Sequence, residues 1–338
     1  MAEARHHGGL IVTRTPLRIS FVGGGTDLPA FYREHGGAVL SMAIDRYVYV
    51  TVKKHSELFF EPIRINYSKS EQVERIDEIK NNVVREALRF LEIEPPIYIS
   101  TVGDVPASTG LGGSSAFAVG MLHALHAYRG ERVSAGQLAE EASLIEIKVL
   151  GEPIGKQDQY AAAFGGLNLF TFKPDDGVTV EHQQAPNGTL SALFESILLF
   201  WTGHQRDASA VLAEQQANIQ SKVTHLKRMR DQAGELHAAL KAGAIDVLDL
   251  GRMLDEGWRL KRQLASQITN PRIDHWYQAA MAAGAAGGKL CGAGAGGFLL
   301  FIAPPERHAT IRLALVDLME MQVAPDVRGS RLMGGFGE

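Results

Sequence analysis

The stretch Pro106-Ala-Ser-Thr-Gly-Leu-Gly-Gly-Ser-Ser-Ala116 decides how the rest of the chain is read. Apart from Leu111 it carries only small side chains, and it joins two apolar segments of different character. Residues 97–102 (IYISTV) are rich in β-branched side chains and predict a strand. Residues 116–128 are apolar on nearly every side, which predicts a buried helix. A loop at that junction exposes consecutive backbone N–H groups beside a helix N-terminus, an arrangement suited to an anion such as phosphate. Gly110, Gly112 and Gly113 let backbone approach a ligand without interference from a Cβ. Ser114 and Ser115 would lie in the first helical turn, where their hydroxyls can meet phosphate oxygens or Mg2+. The Walker pattern is absent, and on these residues alone a tight turn with a serine cap serves equally well.

Composition narrows the choice. The chain has 338 residues, 45% hydrophobic and 21% charged, with a formal net charge of −4. That length suggests two domains with ample core and no need of disulfides. Cys291 is the single cysteine, so an intrachain disulfide is impossible and a reducing compartment is expected. The acidic balance argues against a nucleic-acid partner. No apolar run reaches the roughly 20 residues that span a bilayer, and the N-terminus lacks a signal-peptide core. The expectation is a cytoplasmic protein acting on small molecules, with His6 and His7 in a tail rather than a metal site.

Outward from the glycine loop, residues 10–13 and 18–22 predict strands, broken by Gly23-Gly24-Gly25. Thr26 and Asp27 offer an N-cap to a short helix over 28–34. Strands follow at 38–43 and 47–53, and a helix at 82–91, where apolar residues recur at helical spacing. A helix at 135–150 ends at Gly151. A strand at 167–172, a turn-rich segment at 174–188 and a buried strand at 197–201 come next. Helices then fill 209–242, 247–265 and 273–284. A second glycine-rich loop spans 287–297, before a strand at 298–302. The tail beyond Pro325 reads as a surface loop. Strands dominate the first half and helices the second, an α+β pattern that divides near residue 190 into 1–190 and 191–338.

Three motifs, in order, carry a family resemblance. The loop at 106–116 resembles P-x3-G-L-G-S-S-A of the GHMP small-molecule kinases. Arg18-Ile-Ser-Phe-Val-Gly-Gly-Gly-Thr-Asp27 resembles the first family motif, which in galactokinases runs R-x-N-L-I-G-E-H-T-D. Gly287-Gly-Lys-Leu-Cys-Gly-Ala-Gly-Ala-Gly-Gly297 resembles the third, K-L-x-G-A-G-G-G-G. The resemblance implies an N-terminal ATP-binding domain of the ribosomal-protein-S5 type and a ferredoxin-like C-terminal domain, with the active site in the cleft between them. It also implies ATP and Mg2+. Two departures stand out: Gly113 replaces a serine of the second motif, and Ala295 a glycine of the third.

Site residues follow from the same resemblance. Asp158, in Gly151-Glu-Pro-Ile-Gly-Lys-Gln-Asp-Gln-Tyr160, resembles the aspartate of the galactokinase stretch G-x-x-C-G-I-M-D-Q, which would orient the attacking hydroxyl or take its proton. An aspartate in such a loop ordinarily caps a turn. Arg18 is a charge inside a strand-like run, which needs a partner. In the family this position lies close to the aspartate. Glu146, twelve residues before Asp158, matches the position of the Mg2+ ligand, with Ser114 as its companion. Phosphate contacts are expected from Pro106, Gly110, Leu111, Gly112, Gly113, Ser114 and Ser115.

The acceptor is expected to meet Gly24, Gly25, Thr26, Asp27, Thr202, Gly203, Arg206, Gly292, Ala293 and Gly294. Gly24 and Gly25 stand where galactokinases carry Glu-His, which argues against galactose. Residues 15–29, 201–208 and 268–274 resemble the heptose 7-phosphate kinase branch, and fucokinases share parts of them. The expected reaction is phosphorylation of an anomeric hydroxyl of a sugar phosphate, giving heptose 1,7-bisphosphate. Kinases of neutral sugars such as L-fucose or an N-acetylhexosamine, and a non-catalytic sugar sensor, are the alternatives. Arg206 is the first choice for a second anion site, because a guanidinium binds phosphate bidentately. Arg33 and Arg331 come after it. Cys291 is read as packing. Either a monomer or a homodimer is compatible with the sequence.

Overall fold

The computed structural model describes residues 9–183, 188–204, 209–243 and 246–336. The α+β class expected from the sequence is observed. The chain opens with β1 (Leu10–Val22), a short helix α1 (Pro29–His35) and the long strand β2 (Gly37–Lys54). Each of these strands fuses two strands expected separately. β3 (Ile63–Asn66) and β4 (Ser70–Val73) follow, then α2 (Asn82–Phe90) and β5 (Ile97–Gly103). The glycine loop leads into α3 (Gly113–Tyr128), and α4 (Ala135–Ser143), α5 (Gln157–Phe164), β6 (Leu167–Phe172) and β7 (Val178–His182) complete the first half.

α6 (Thr189–Glu195) and β8 (Ile197–Trp201) open the second half. The helices α7 (Ser209–Asn218), α8 (Val223–Lys241), α9 (Val247–Lys261) and α10 (Pro271–Ala282) come next. β9 (Gly287–Leu290), β10 (Phe298–Ile302), α11 (His308–Ala314), β11 (Met319–Glu320) and β12 (Arg331–Phe336) finish the chain.

Two sheets organise these elements. In the larger, the order β12-β1-β2-β5-β3-β4 is branched, because β2 pairs with β5 through its second half and with β6 through its first. The smaller sheet is antiparallel, in the order β11-β8-β10-β9. Side chains alternate across β1. Leu17, Ile19 and Phe21 enter the core of the large sheet, while Arg18 and Ser20 face a cleft. α3 is buried along its length, packed between that sheet and α4 and α5. A second core, with Trp258, Tyr277 and Phe301, fills the space between α7–α10 and the small sheet.

Several local expectations are corrected. Thr26 and Asp27 do not cap α1, whose N-cap is Leu28 with no side-chain bond. Residues 144–149 leave the α-helical register and form a π-turn. Part of the second glycine loop is strand β9. The tail beyond Pro325 is not a loop throughout: β12 returns to pair with β1 in the large sheet. There Ser330 Oγ lies 2.8 Å from Thr15 Oγ1 and 2.9 Å from His123 Nδ1. No helix among the described residues is long and apolar enough to cross a membrane.

Two helical glycines make opposite predictions. A Cβ at Gly251 on α9 would stand 2.4 Å from Ala286 Cβ and 2.6 Å from its carbonyl carbon, so backbone would have to move. A Cβ at Gly234, exposed on α8, would meet nothing within 4 Å. In urea unfolding, Gly251→Ala is expected to destabilise by about 1–3 kcal/mol. Gly234→Ala is expected to stabilise by about 0.5–1 kcal/mol. Equal shifts in the two variants would refute the packing of α9 against the strand entry.

Candidate active site

The two glycine loops meet backbone to backbone. A Cβ on Gly292 would lie 2.4 Å from Gly110 Cα, and one on Gly110 would lie 2.5 Å from the Cys291 carbonyl oxygen. Both residues also hold positive φ, +83° at Gly110 and +73° at Gly292, so glycine is required twice over. Phe298 N donates to Thr109 O at 3.2 Å and extends the junction. Around it opens a cleft of about 410 Å³, lined from both sheets.

Arg18 crosses the floor of this cleft. Its side chain is nearly buried, and three of its donors are used: Nε to Asp158 Oδ1 at 2.7 Å, Nη2 to Asp158 Oδ2 at 2.7 Å, and Nη1 to Gly110 O at 2.8 Å. Its backbone N donates to Leu111 O at 3.0 Å. One residue therefore fixes both the acid and the loop. Asp158 lies in the first turn of α5, where the helix dipole favours an anion. It keeps one edge open to the cleft.

Glu146 projects from the π-turn after α4 and is 1% exposed. Ser114 Oγ donates to its Oε1 at 2.9 Å, and Gln159 Nε2 to its Oε2 at 2.6 Å. No cation among the described residues pairs with it. Burial pushes its carboxyl from 4.5 up to about 7; hydrogen bonds from Ser115, Gln159 and Ser114 offset this only in part, and the nearby charge of Asp158 adds to it. A buried acid beside a serine hydroxyl, lining an open cleft and lacking a cationic partner, fits a divalent cation with the remaining ligands from nucleotide and water.

Asp27, also in the cleft, is buried and accepts from Gly25 N at 3.0 Å, Gln157 N at 3.2 Å and Gln157 Nε2 at 3.1 Å. Burial, with Asp158 nearby, raises its carboxyl above the usual range. The structure thus brings Arg18, Gly24, Gly25, Asp27, Gly110, Gly112, Gly113, Ser114, Ser115, Glu146, Asp158, Gly292, Ala293 and Gly294 into one cleft.

Other expected contacts stand elsewhere. Pro106 is outside the cleft lining, and Leu111 is a core side chain. The hydroxyl of Thr26 is spent on backbone, Gly23 O at 2.8 Å and Ala38 O at 2.9 Å. Thr202 Oγ1 donates to Gly297 O at 2.7 Å, and neither it nor Gly203 lines the cleft. Arg206 and the His6-His7 pair lie outside the described residues. Arg33 is engaged with Asp176 at 2.8 Å, and Arg331 lies 3.5 Å from Asp326. Cys291 is buried with its thiol pushed up by burial, which agrees with packing.

Motif reading missed several lining residues: Lys261, Lys289, Gln157, Gln215 and Ser20. Lys289 stood inside the third motif, flanked by small residues, and its charge there was a usable signal. Lys261 ends an amphipathic helix and carries no local mark.

The chain is similar to known proteins over most of its length. The family description "GHMP kinases N terminal domain" matches residues 81–166, and "GHMP kinases C terminal" matches 236–319. The D-glycero-alpha-D-manno-heptose 7-phosphate kinase of Campylobacter jejuni is 30% identical over 316 residues, covering 90% of this chain and 93% of that one. The L-fucokinase/L-fucose-1-P guanylyltransferase of Bacteroides fragilis is 25% identical, covering 90% of this chain but 36% of its own. The crystal structure of a D-glycero-D-manno-heptose 1-phosphate kinase from Bacteroides thetaiotaomicron superposes with a TM-score of 0.79 at 26% identity, over 97% of this chain and 100% of that one. With an arginine–aspartate pair and a glycine loop lining one cleft, and two family domains in one chain, the protein belongs to the GHMP kinases and is a phosphotransferase.

Proposed function

We propose that the chain phosphorylates the anomeric hydroxyl of a sugar phosphate, with D-glycero-D-manno-heptose 7-phosphate as acceptor, ATP as donor and the 1,7-bisphosphate as product. The observation that carries the reading is the single cleft in which the Arg18–Asp158 pair faces Ser114 and Glu146. The choice of acceptor draws on the names of the Campylobacter and Bacteroides thetaiotaomicron relatives. It also draws on Gly24, where a Cβ would stand 3.6 Å from Ser20 Oγ and 3.8 Å from Gln157 Nε2. No side chain at Gly24 occupies the part of the cleft beside Ser20 and Gln157. The fucokinase relative supports a second reading, a neutral sugar as acceptor. We further propose that the chain divides near residue 190, with β12 returning across the division to the first sheet.

In the mechanism, the acceptor hydroxyl attacks the γ-phosphorus of ATP, and the bond to the bridging oxygen of ADP breaks. Asp158 orients that hydroxyl and receives its proton as the new O–P bond forms. Arg18 aims the carboxylate through two 2.7 Å hydrogen bonds and ties it to the loop through Gly110 O. Backbone N–H groups over 110–115 bind phosphate oxygens. Ser114 and Glu146 would hold Mg2+, which supplies charge neutralisation on the phosphates when bound.

Two predictions follow from these roles. Asp158→Asn is expected to lower kcat by about 10²–10⁴-fold, with nucleotide affinity by calorimetry nearly unchanged; turnover close to wild type would remove Asp158 from the chemistry. Glu146 supplies a pH test. Its folded-state pKa of about 7 lies above the ordinary 4.5, so the fold favours the protonated acid. Stability of the metal-free protein is therefore fully present below about 4.5 and falls as pH rises through about 7, by on the order of 3 kcal/mol. Glu146→Gln, in chelator, is expected to be more stable than wild type at pH 8, with the difference closing toward pH 4.5. It is also expected to raise the Mg2+ concentration needed for half-maximal turnover. Parallel stability profiles for the two proteins would show that Glu146 is not a strained acid.

A further inference from the structure

Two lysines stand in the cleft without an acid in ion-pair contact. Lys261, at the end of α9, is 7% exposed, and Lys289, on β9, is 8% exposed. Both line the same cleft as Arg18 and Asp27. The Lys261 ammonium donates to Gly292 O, and the Lys289 ammonium to Ser20 O at 2.7 Å and Phe21 O at 3.2 Å. No carboxylate among the described residues forms an ion pair with either. A buried lysine ordinarily either snorkels to water or finds an acid. Carbonyl oxygens satisfy N–H donors but do not neutralise the charge.

We propose that Lys261 and Lys289 form an anion subsite that holds a phosphate group of the bound ligand, with Lys261 making the contact and Lys289 lending its charge from behind. Lys289 uses two of its donors to brace β9 against β1, whereas Lys261 spends one of three on the Gly292 carbonyl. The free donors belong to a side chain that already lines the cleft. Gly292 and Gly294 line the same cleft as Lys261. Burial, together with the neighbouring lysine, pushes Lys261 down to about 7, and burial pushes Lys289 to about 8. A bound dianion would restore both to full charge. The phosphate has two possible sources, the acceptor's own ester or the phosphoryl group in transit from ATP. The first source rests on the proposed sugar-phosphate acceptor; the second needs only a kinase.

The test uses Lys261→Met, Lys289→Met and the charge-conserving Lys261→Arg in the full chain, with thermal melting to confirm folding. Inorganic phosphate is titrated calorimetrically without nucleotide. Lys261→Met is expected to bind it at least about tenfold more weakly than wild type, and Lys261→Arg to recover most of the loss. Turnover is then measured with heptose 7-phosphate and with the unphosphorylated heptose. A KM raised about 100-fold for the phosphorylated acceptor alone assigns the subsite to the acceptor's phosphate. A kcat lowered for both acceptors assigns it to the phosphoryl in transit. Should Lys261→Met fail to fold, Lys289→Met carries the same measurements. Phosphate affinity and turnover unchanged in a folded variant, or no phosphate binding by wild type, overturn the proposal. Wild-type inactivity toward heptose 7-phosphate overturns only the choice of acceptor, because the phosphate titration does not depend on it.

Discussion

The bidentate pair between Arg18 and Asp158 is the contact on which the cleft depends. A guanidinium buried in the middle of a strand is tolerated only when its donors are filled and its charge is opposed. Asp158 opposes it with two 2.7 Å hydrogen bonds, and Gly110 O fills a third donor. Breaking such a pair from one side leaves an uncompensated buried charge, at a cost of about 3–5 kcal/mol. Three separate pieces of chain, β1, the first glycine loop and α5, are thereby locked in one arrangement. The same lock that satisfies the strand leaves a carboxylate edge on the cleft, so on the proposed role of Asp158 structure and chemistry share one contact.

The second constraint is close approach. Gly110 and Gly292 touch through their backbones, so no side chain fits between the loops. Lys289 adds a polar strut from the small sheet to the carbonyls of Ser20 and Phe21 in the large one. The cleft is therefore lined from both sheets, which are tied together at the glycine loops. One part of its lining is glycine backbone, and another is the Asp27–Gln157 hydrogen-bonded corner. A glycine-rich wall and a polar wall at fixed separation are what transfer between two bound molecules needs.

Much of this was legible in the sequence because the constraints are local. Glycines at fixed offsets, serines in a first helical turn and a charge inside an apolar strand each state a requirement within a few residues. The less legible features depend on distant partners. β4 carries the polar Ser70-Glu71-Gln72, and Glu71 is buried only because it accepts from Lys80 N, Asn81 N and the Tyr67 hydroxyl. β12 looked like a tail because its partner strand lies some 320 residues earlier, Leu10 opposite Phe336. Thr26 and Asp27 looked like a helix cap, yet their side chains are taken by Ala38 and Gln157. Lys261 could not be singled out, since a lysine at a helix C-terminus is favourable with no site nearby.

The charges of the cleft explain why ligands of both signs should bind it together. Beside the half-buried Glu152, the cleft is lined by three acids, Asp27, Glu146 and Asp158, and three cations, Arg18, Lys261 and Lys289, yet only Arg18 and Asp158 form an ion pair among these six. The others are buried and kept apart: burial raises Asp27 and Glu146 and depresses both lysines. Folding has already borne the desolvation cost of these groups. On the proposed roles, a cation at Glu146 and a phosphate at Lys261 would each relieve part of it. Because the groups are fixed before the ligands arrive, little reorganisation remains for the transfer step. An apolar cleft of the same shape would hold its walls more firmly and would offer nothing to the charge that moves.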